Sequence, residues 1–162
     1  MDILFKHHTL GDLNLLLGPQ DIFCWEGMVK SKSKQFLEDV PINIILTSNP
    51  DIDRVNLGFI ETVVDDLGNY LERSIIFAKQ KILENPGLYG LNDEETEEIK
   101  NTGPENFPLD LPGLDFYEND EWMIVFRVGK FNICEPLGLA ILFNKEEPVR
   151  IEDLSHGEPI EY

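Results

Sequence analysis

Between Asp53 and Asn85, apolar residues recur at steps of three and four: Ile60, Val64, Leu67, Leu71, Ile75, Ala78 and Ile82. Phe59, Val63 and Tyr70 widen the same stripe. The period is that of an α-helix, so the spacing predicts one long amphipathic helix over residues 53–85 with a face that must be covered. Ser48-Asn49-Pro50-Asp51 precedes it as a turn, and Pro86-Gly87 stops it. Gly68 in its middle costs about 1 kcal/mol against alanine, which points to a close approach of the helix to the sheet.

The cover for that stripe is β structure. Leu13–Leu17 ends at the turn Gly18-Pro19-Gln20-Asp21, and Ile22–Val29 and Val40–Thr47 follow, separated by a Lys/Ser-rich turn at Lys30–Lys34. Pro41 stands at the start of the last run, where a missing N–H is tolerated. Short gaps between runs favour antiparallel pairing. After the helix, residues 86–112 turn acidic and irregular. Their one helical candidate starts at Asn92, with Glu95 at capping-box spacing and Asp93, Glu94 and Glu95 in the first turn. Extended runs return at Leu114–Tyr117, Trp122–Val128, Gly138–Phe143 and Val149–Ile151, with Asn119-Asp120 as a hairpin turn. The expected fold is α+β in a single domain over residues 1–162. Residues 1–50 are β-rich, 53–85 form the helix, 86–112 an acidic connector with a short acidic helix, and 113–162 are β-rich again. An antiparallel sheet packs on the one long helix.

Composition enters through charge. The 162 residues carry 31 Asp and Glu against 13 Lys and Arg, a formal net charge of −18. From Glu84 to Glu121 there are twelve acids and one base, Lys100, so eleven of those eighteen charges sit in that stretch. Such crowding repels itself in a compact state and projects a field that draws basic partners and turns away nucleic acid and anionic membrane. An apolar fraction of 42% is enough for a core. No apolar run approaches the roughly 20 residues that span a bilayer, and the first residues lack a signal-peptide pattern, so cytoplasmic residence is expected. Cys24 and Cys134, both in apolar runs, read as buried thiols.

Motifs for chemistry are sparse. There is no Gly-x-Ser-x-Gly elbow and no phosphate-cradling glycine motif. Neither cysteine has a basic neighbour in sequence to activate it. His7 and His8, adjacent along a strand, point to opposite faces and would not chelate one ion together. Glu118-Asn119-Asp120-Glu121 lacks the spacing of a calcium loop and reads as a hairpin turn. Asp65-Asp66 reads as the polar flank of the helix. No catalytic residue, metal or cofactor is expected, and the chain reads as a non-enzyme. The acidic run is by itself a solvated face. Interleaved with Tyr89, Phe107, Phe116, Tyr117 and Trp122, it reads equally well as a surface that steers and anchors a basic partner. Glu94, Glu95, Glu97, Glu98, Asp115, Tyr117, Glu118, Asp120 and Glu121 are the residues expected to carry that contact.

Two stretches carry a resemblance. One is Trp25-Glu26-Gly27 in an early strand, ahead of a sheet and a long helix. The other is Trp122–Val128, then Glu135-Pro136-Leu137-Gly138-Leu139-Ala140-Ile141-Leu142-Phe143, then Pro148–Leu154. The pattern resembles small acidic bacterial proteins found beside polymorphic toxins, including immunity proteins of contact-dependent inhibition. The resemblance implies that the chain binds a cognate toxin domain in the cytoplasm and blocks it. Many such toxins are nucleases with basic clefts, which an acidic inhibitor would suit. A non-catalytic adaptor for another basic partner and a carboxylate-based hydrolase are the alternatives. The aromatics also allow a homodimer.

Overall fold

The computed structural model describes residues 3–134 and 138–154; Glu135-Pro136-Leu137 and His156 lie outside the described residues. Eight strands form one sheet in strict chain order: β1 (Leu4–His7), β2 (Gly11–Leu17), β3 (Ile22–Val29), β4 (Val40–Thr47), β5 (Leu109–Phe116), β6 (Glu121–Gly129), β7 (Leu139–Asn144) and β8 (Glu147–Asp153). Every neighbouring pair is antiparallel except β4 and β5, which run parallel through Ile42–Leu114, Asn43–Asp115 and Ile44–Phe116. The expected antiparallel sheet is therefore mixed. The reason is the crossover: parallel neighbours need a connection of a dozen residues or more, and here the whole helical segment supplies it.

Three helices fill that crossover: α1 (Leu57–Asp65), α2 (Leu67–Glu84) and α3 (Asp93–Lys100). The helix expected over 53–85 is thus interrupted. A 3-10 turn occupies Ile52–Arg54, and α1 and α2 meet at Asp66, which closes one helix and opens the next. Its N–H reaches the carbonyls of Val63 and Val64, while its own carbonyl accepts from Asn69 and Tyr70. The apolar stripe hides this break because Val63, Val64, Leu67 and Leu71 all remain buried across it.

The core lies between helices and sheet. On one sheet face Trp25, Ile44, Phe116, Trp122 and Phe143 stand side by side in cross-strand register. Trp122 is stacked between Phe116 and Phe143, at 5.0 and 4.4 Å between ring centres, and Tyr70 of α2 meets it edge-on at 5.5 Å. Its indole N–H is satisfied by the Lys145 carbonyl at 2.7 Å, so burying it leaves no orphaned donor. Trp25 does the same with the Pro50 carbonyl at 2.8 Å.

Gly68 does not face the sheet as expected. It faces the β3–β4 connection, where an added Cβ would stand 2.1 Å from the Lys32 carbonyl oxygen. That connection is a folded segment, not a tight turn: Ser31 is buried and its hydroxyl donates to the Phe36 carbonyl, while Phe36 is itself buried against Phe126.

Candidate functional site

The nine acidic and aromatic residues named from the sequence fall in three places. Glu94, Glu95, Glu97 and Glu98 lie exposed on α3. Glu118, Asp120 and Glu121 lie exposed at the β5–β6 turn. Asp115 is half-buried one residue before the end of β5, and Tyr117 is half-buried just past that end. α3 sits beside Lys130 and Phe131, just past the last residue of β6, whereas Glu121 is the first residue of β6. At about 3.3 Å per residue, the two acidic groups are separated by about 26 Å of strand. What is one belt in the sequence is two patches at opposite ends of the sheet.

The two patches also differ in how far their charge is already answered. At the turn, Glu118 accepts from the Thr47 backbone at 2.6 Å and pairs with Arg54 at 3.1 Å, and Asp120 lies 3.9 Å from Lys145. These contacts join the turn to β4, to the helix entry and to the β7–β8 connection. On α3, Glu95 closes a capping box with Asn92: the Asn92 side chain accepts from the Glu95 N–H at 2.8 Å, and the Glu95 carboxylate accepts from the Asn92 N–H at 3.1 Å. Glu97 meets Lys100 at 3.1 Å, an exposed pair of small energetic weight. Asp93, Glu94 and Glu98 face solvent. The helix is anchored by Ile99, its one buried residue, and by Lys79 of α2, whose ammonium donates to the Lys100 and Thr102 carbonyls at 3.0 and 2.9 Å. The chain thus holds an acidic helix outward with little other work for its carboxylates.

The aromatic half of the expectation is corrected. Tyr89, Phe107, Phe116 and Trp122 are all buried in the core, and only Tyr117 of the five is half-exposed. Sequence proximity to acids said nothing about which way these rings point. In strands, neighbouring residues alternate faces, so an acid beside an aromatic is what a strand with one wet face produces. The large apolar groups that do reach solvent in the neighbouring segments are aliphatic: Leu88 ahead of α3, Val128 near the end of β6 and Leu37 in the β3–β4 connection, at 60%, 52% and 85% exposure.

Asp115 lies on the second sheet face in a mixed row, in register with Glu26, Asn43, Met123, Leu142 and Arg150. Asn43 donates to its carboxylate at 3.0 Å and accepts a long contact, 3.7 Å, from the buried Cys24 thiol. Burial raises the Asp115 pKa, and the Asn43 hydrogen bond only partly offsets that. Burial also pushes the Cys24 thiol up to about 12, helped by the nearby Asp115 and Glu26 charges. A thiol held protonated this firmly is a poor nucleophile. Cys24 and Cys134 are both buried free thiols.

His7, His8 and Glu61 come together, against the expectation that the two imidazoles diverge. His8 has left the strand, and its ring stacks on His7 with centres 4.4 Å apart. One ligand atom from each of the three residues lies within 4.8 Å of the others. The hydrogen bonds nevertheless oppose metal binding. His7 Nδ1 accepts from the Thr9 and Leu10 N–H groups at 3.1 and 3.2 Å, which holds its proton on Nε2. A coordinating imidazole does the reverse, donating its second N–H outward. Glu61 accepts from both His8 Nε2 and the Thr9 hydroxyl at 2.9 Å. The cluster fastens the β1–β2 turn to α1. Asp65 lies 3.6 Å from Lys32, and Asp66 accepts from the Asn69 amide, so the helix pair is held at its break.

Sequence reasoning missed a groove beside α3. A cavity of about 420 Å³ is lined by Phe36, Phe107, Leu109 and Val128 with Glu105, Asp110 and Lys130 among its neighbours. It shares Asn106, Pro108 and Lys130 with a smaller cleft of about 220 Å³ under Glu95 and Glu98 of α3. Its residues come from three distant segments, so no local pattern in the sequence signals it; Leu37, an apolar residue stranded before Glu38-Asp39, borders only a neighbouring hollow. No family model, curated protein or solved structure matches the chain. No helix among the described residues is long and apolar enough to cross a membrane.

Proposed function

We propose that this chain is an immunity protein that binds a cognate toxin domain in the cytoplasm and neutralises it through an acidic surface. The observation that carries this reading is α3: a short, well-capped helix that buries one residue and turns Asp93, Glu94, Glu97 and Glu98 outward. Concentrated like charge works against folding, so its retention on a rigid, exposed element is best explained by a partner of opposite sign. Capping fixes those carboxylates in place before contact, which lowers the ordering cost of binding. The resemblance of the strand–helix–strand sequence to toxin-neutralising proteins supplies the class of partner.

The reading expects a toxin domain to be encoded beside this protein's gene, and the test uses that domain; a neighbourhood without one would refute the reading. Association measured by stopped flow should be fast at low ionic strength and slow as salt screens the field. Glu94→Lys, Glu97→Lys and Glu98→Lys together should lower the association rate by about tenfold or more at low salt. Glu95 is left intact because its carboxylate caps the helix, so reversing it would confuse folding with binding. A salt-independent rate, or no association at all, would refute the reading.

A further inference from the structure

The groove beside α3 has an apolar floor and an acidic margin. Phe36, Phe107 and Leu109 form its buried base, and Val128 lies half out of it at 52% exposure. Glu105 and Asp110 stand on its lip, and the adjoining cleft brings Glu98 of α3 to the same side. A neighbouring hollow of about 250 Å³ shares Gln35, Phe36 and Asp110 with it and adds Leu37 and Glu38. Lys130 and Arg127 also border these hollows, but Arg127 is turned to the Leu111 carbonyl at 3.2 Å. Acids therefore outnumber bases around an apolar depression, and exposed aliphatic groups cluster at its mouth.

We infer that this groove seats a basic protein segment in which an apolar side chain is flanked by lysine or arginine. The inference rests on the toxin-binding reading above and gives it a contact surface. The apolar side chain would displace water from the base formed by Phe36, Phe107 and Leu109, while the flanking cations meet Glu105, Asp110 and Glu98. That division matches how interfaces work: a desolvated anchor holds the complex, and the rim charges set approach and register. Charge complementarity selects this occupant over an acidic or purely apolar one. It also assigns the two acidic patches different parts, since the β5–β6 turn has much of its charge paired internally and lies at the far end of the sheet.

Two measurements test it. The first follows backbone amide shifts of the full chain while a synthetic peptide of alternating lysine and leucine is added, with a glutamate–leucine peptide as control. Saturable shifts at Gln35, Asp110, Gly129 and Lys130 are expected with the lysine peptide alone. Glu105→Lys and Val128→Ser, both at exposed positions, should each weaken that binding about fivefold. Shifts confined to the β5–β6 turn, or spread along α3 without reaching these residues, would overturn the groove. So would the same shifts on raising protein concentration without peptide, which would make the occupant a second copy of the chain. The second measurement repeats both variants with the toxin domain. If that domain binds but ignores them while Asp120→Lys and Glu121→Lys abolish binding, the groove is wrong and the immunity reading stands. If the toxin domain does not bind and the peptide does, the groove stands and the immunity reading falls.

Discussion

Replacing Gly68 by alanine separates what helix propensity expects from what the packing dictates. Propensity alone favours the change, by less than the roughly 1 kcal/mol that alanine gains over glycine in a helix interior, because Gly68 is the second residue of α2 just as Gly58 is of α1. Packing opposes it. The new Cβ would stand 2.1 Å from the Lys32 carbonyl oxygen and 2.9 Å from its carbon, both backbone atoms that cannot rotate away. Ordinary carbon–oxygen contact needs more than 3 Å, so α2 and the Lys32–Phe36 segment must part by about 1 Å. Overpacking of this kind costs about 1–3 kcal/mol in a close-packed region, which exceeds the propensity gain. Gly58 of α1 is the internal control: its added Cβ meets only Asn56 Oδ1 at 3.5 Å, an ordinary contact. Gly58→Ala should therefore leave stability unchanged or raise it by about 0.5 kcal/mol, near the helix start where propensity counts less. Urea unfolding followed by tryptophan fluorescence reads both variants against the parent. If Gly68→Ala proves as stable as the parent, the Lys32 segment does not dock on α2 as described. The consequence reaches the groove, because Gln35 and Phe36 in that segment form its wall.

The Glu61 cluster predicts a pH effect. Hydrogen bonds from Thr9 and then His8 lower the Glu61 pKa. A lowered folded pKa gives stability that is present above the ordinary glutamate value and lost as pH falls through the folded one. Glu61→Gln should therefore lower the urea midpoint at pH 7, with the difference from the parent shrinking below about pH 4; a constant gap across pH would exclude this charge effect. Cys24, its pKa raised to about 12 by burial, and Cys134 should both resist a thiol-specific reagent at pH 8 in the native protein and react fully in urea. Rapid native labelling of Cys24 would show that the second sheet face opens more readily than its burial implies.

Several elements were legible because local chemistry alone settles them. Ile22–Val29 and Val40–Thr47 are β3 and β4 residue for residue, since turn residues bracket runs of β-favouring side chains. The N-cap of α3 at Asn92 followed from the capping-box spacing, a contact three residues long. The break at Asp66 was not legible, because the apolar period continues through it and only the backbone changes course. β1 passed unnoticed as a short edge strand whose pattern, Leu4–His7, is weak alone. For the surface, the sequence located the acids correctly as a cluster along the chain. It could not say that an eight-residue strand, β5, carries the chain away from α3 and sets Glu118, Asp120 and Glu121 at the other end of the sheet.

The sequence by itself determined the helices' apolar faces, the bounds of β3 and β4, the net charge of −18 and the N-cap of α3, since each depends on residues within a few positions of one another. Tertiary structure decided the rest. The return of the chain after the helices made β4 and β5 parallel, buried four of the five aromatics that had looked available for binding, and brought Phe36, Phe107, Leu109 and Val128 to one groove. Those outcomes depend on contacts between residues tens of positions apart, whose free energy is set by which surfaces meet and not by the order in which the residues are joined.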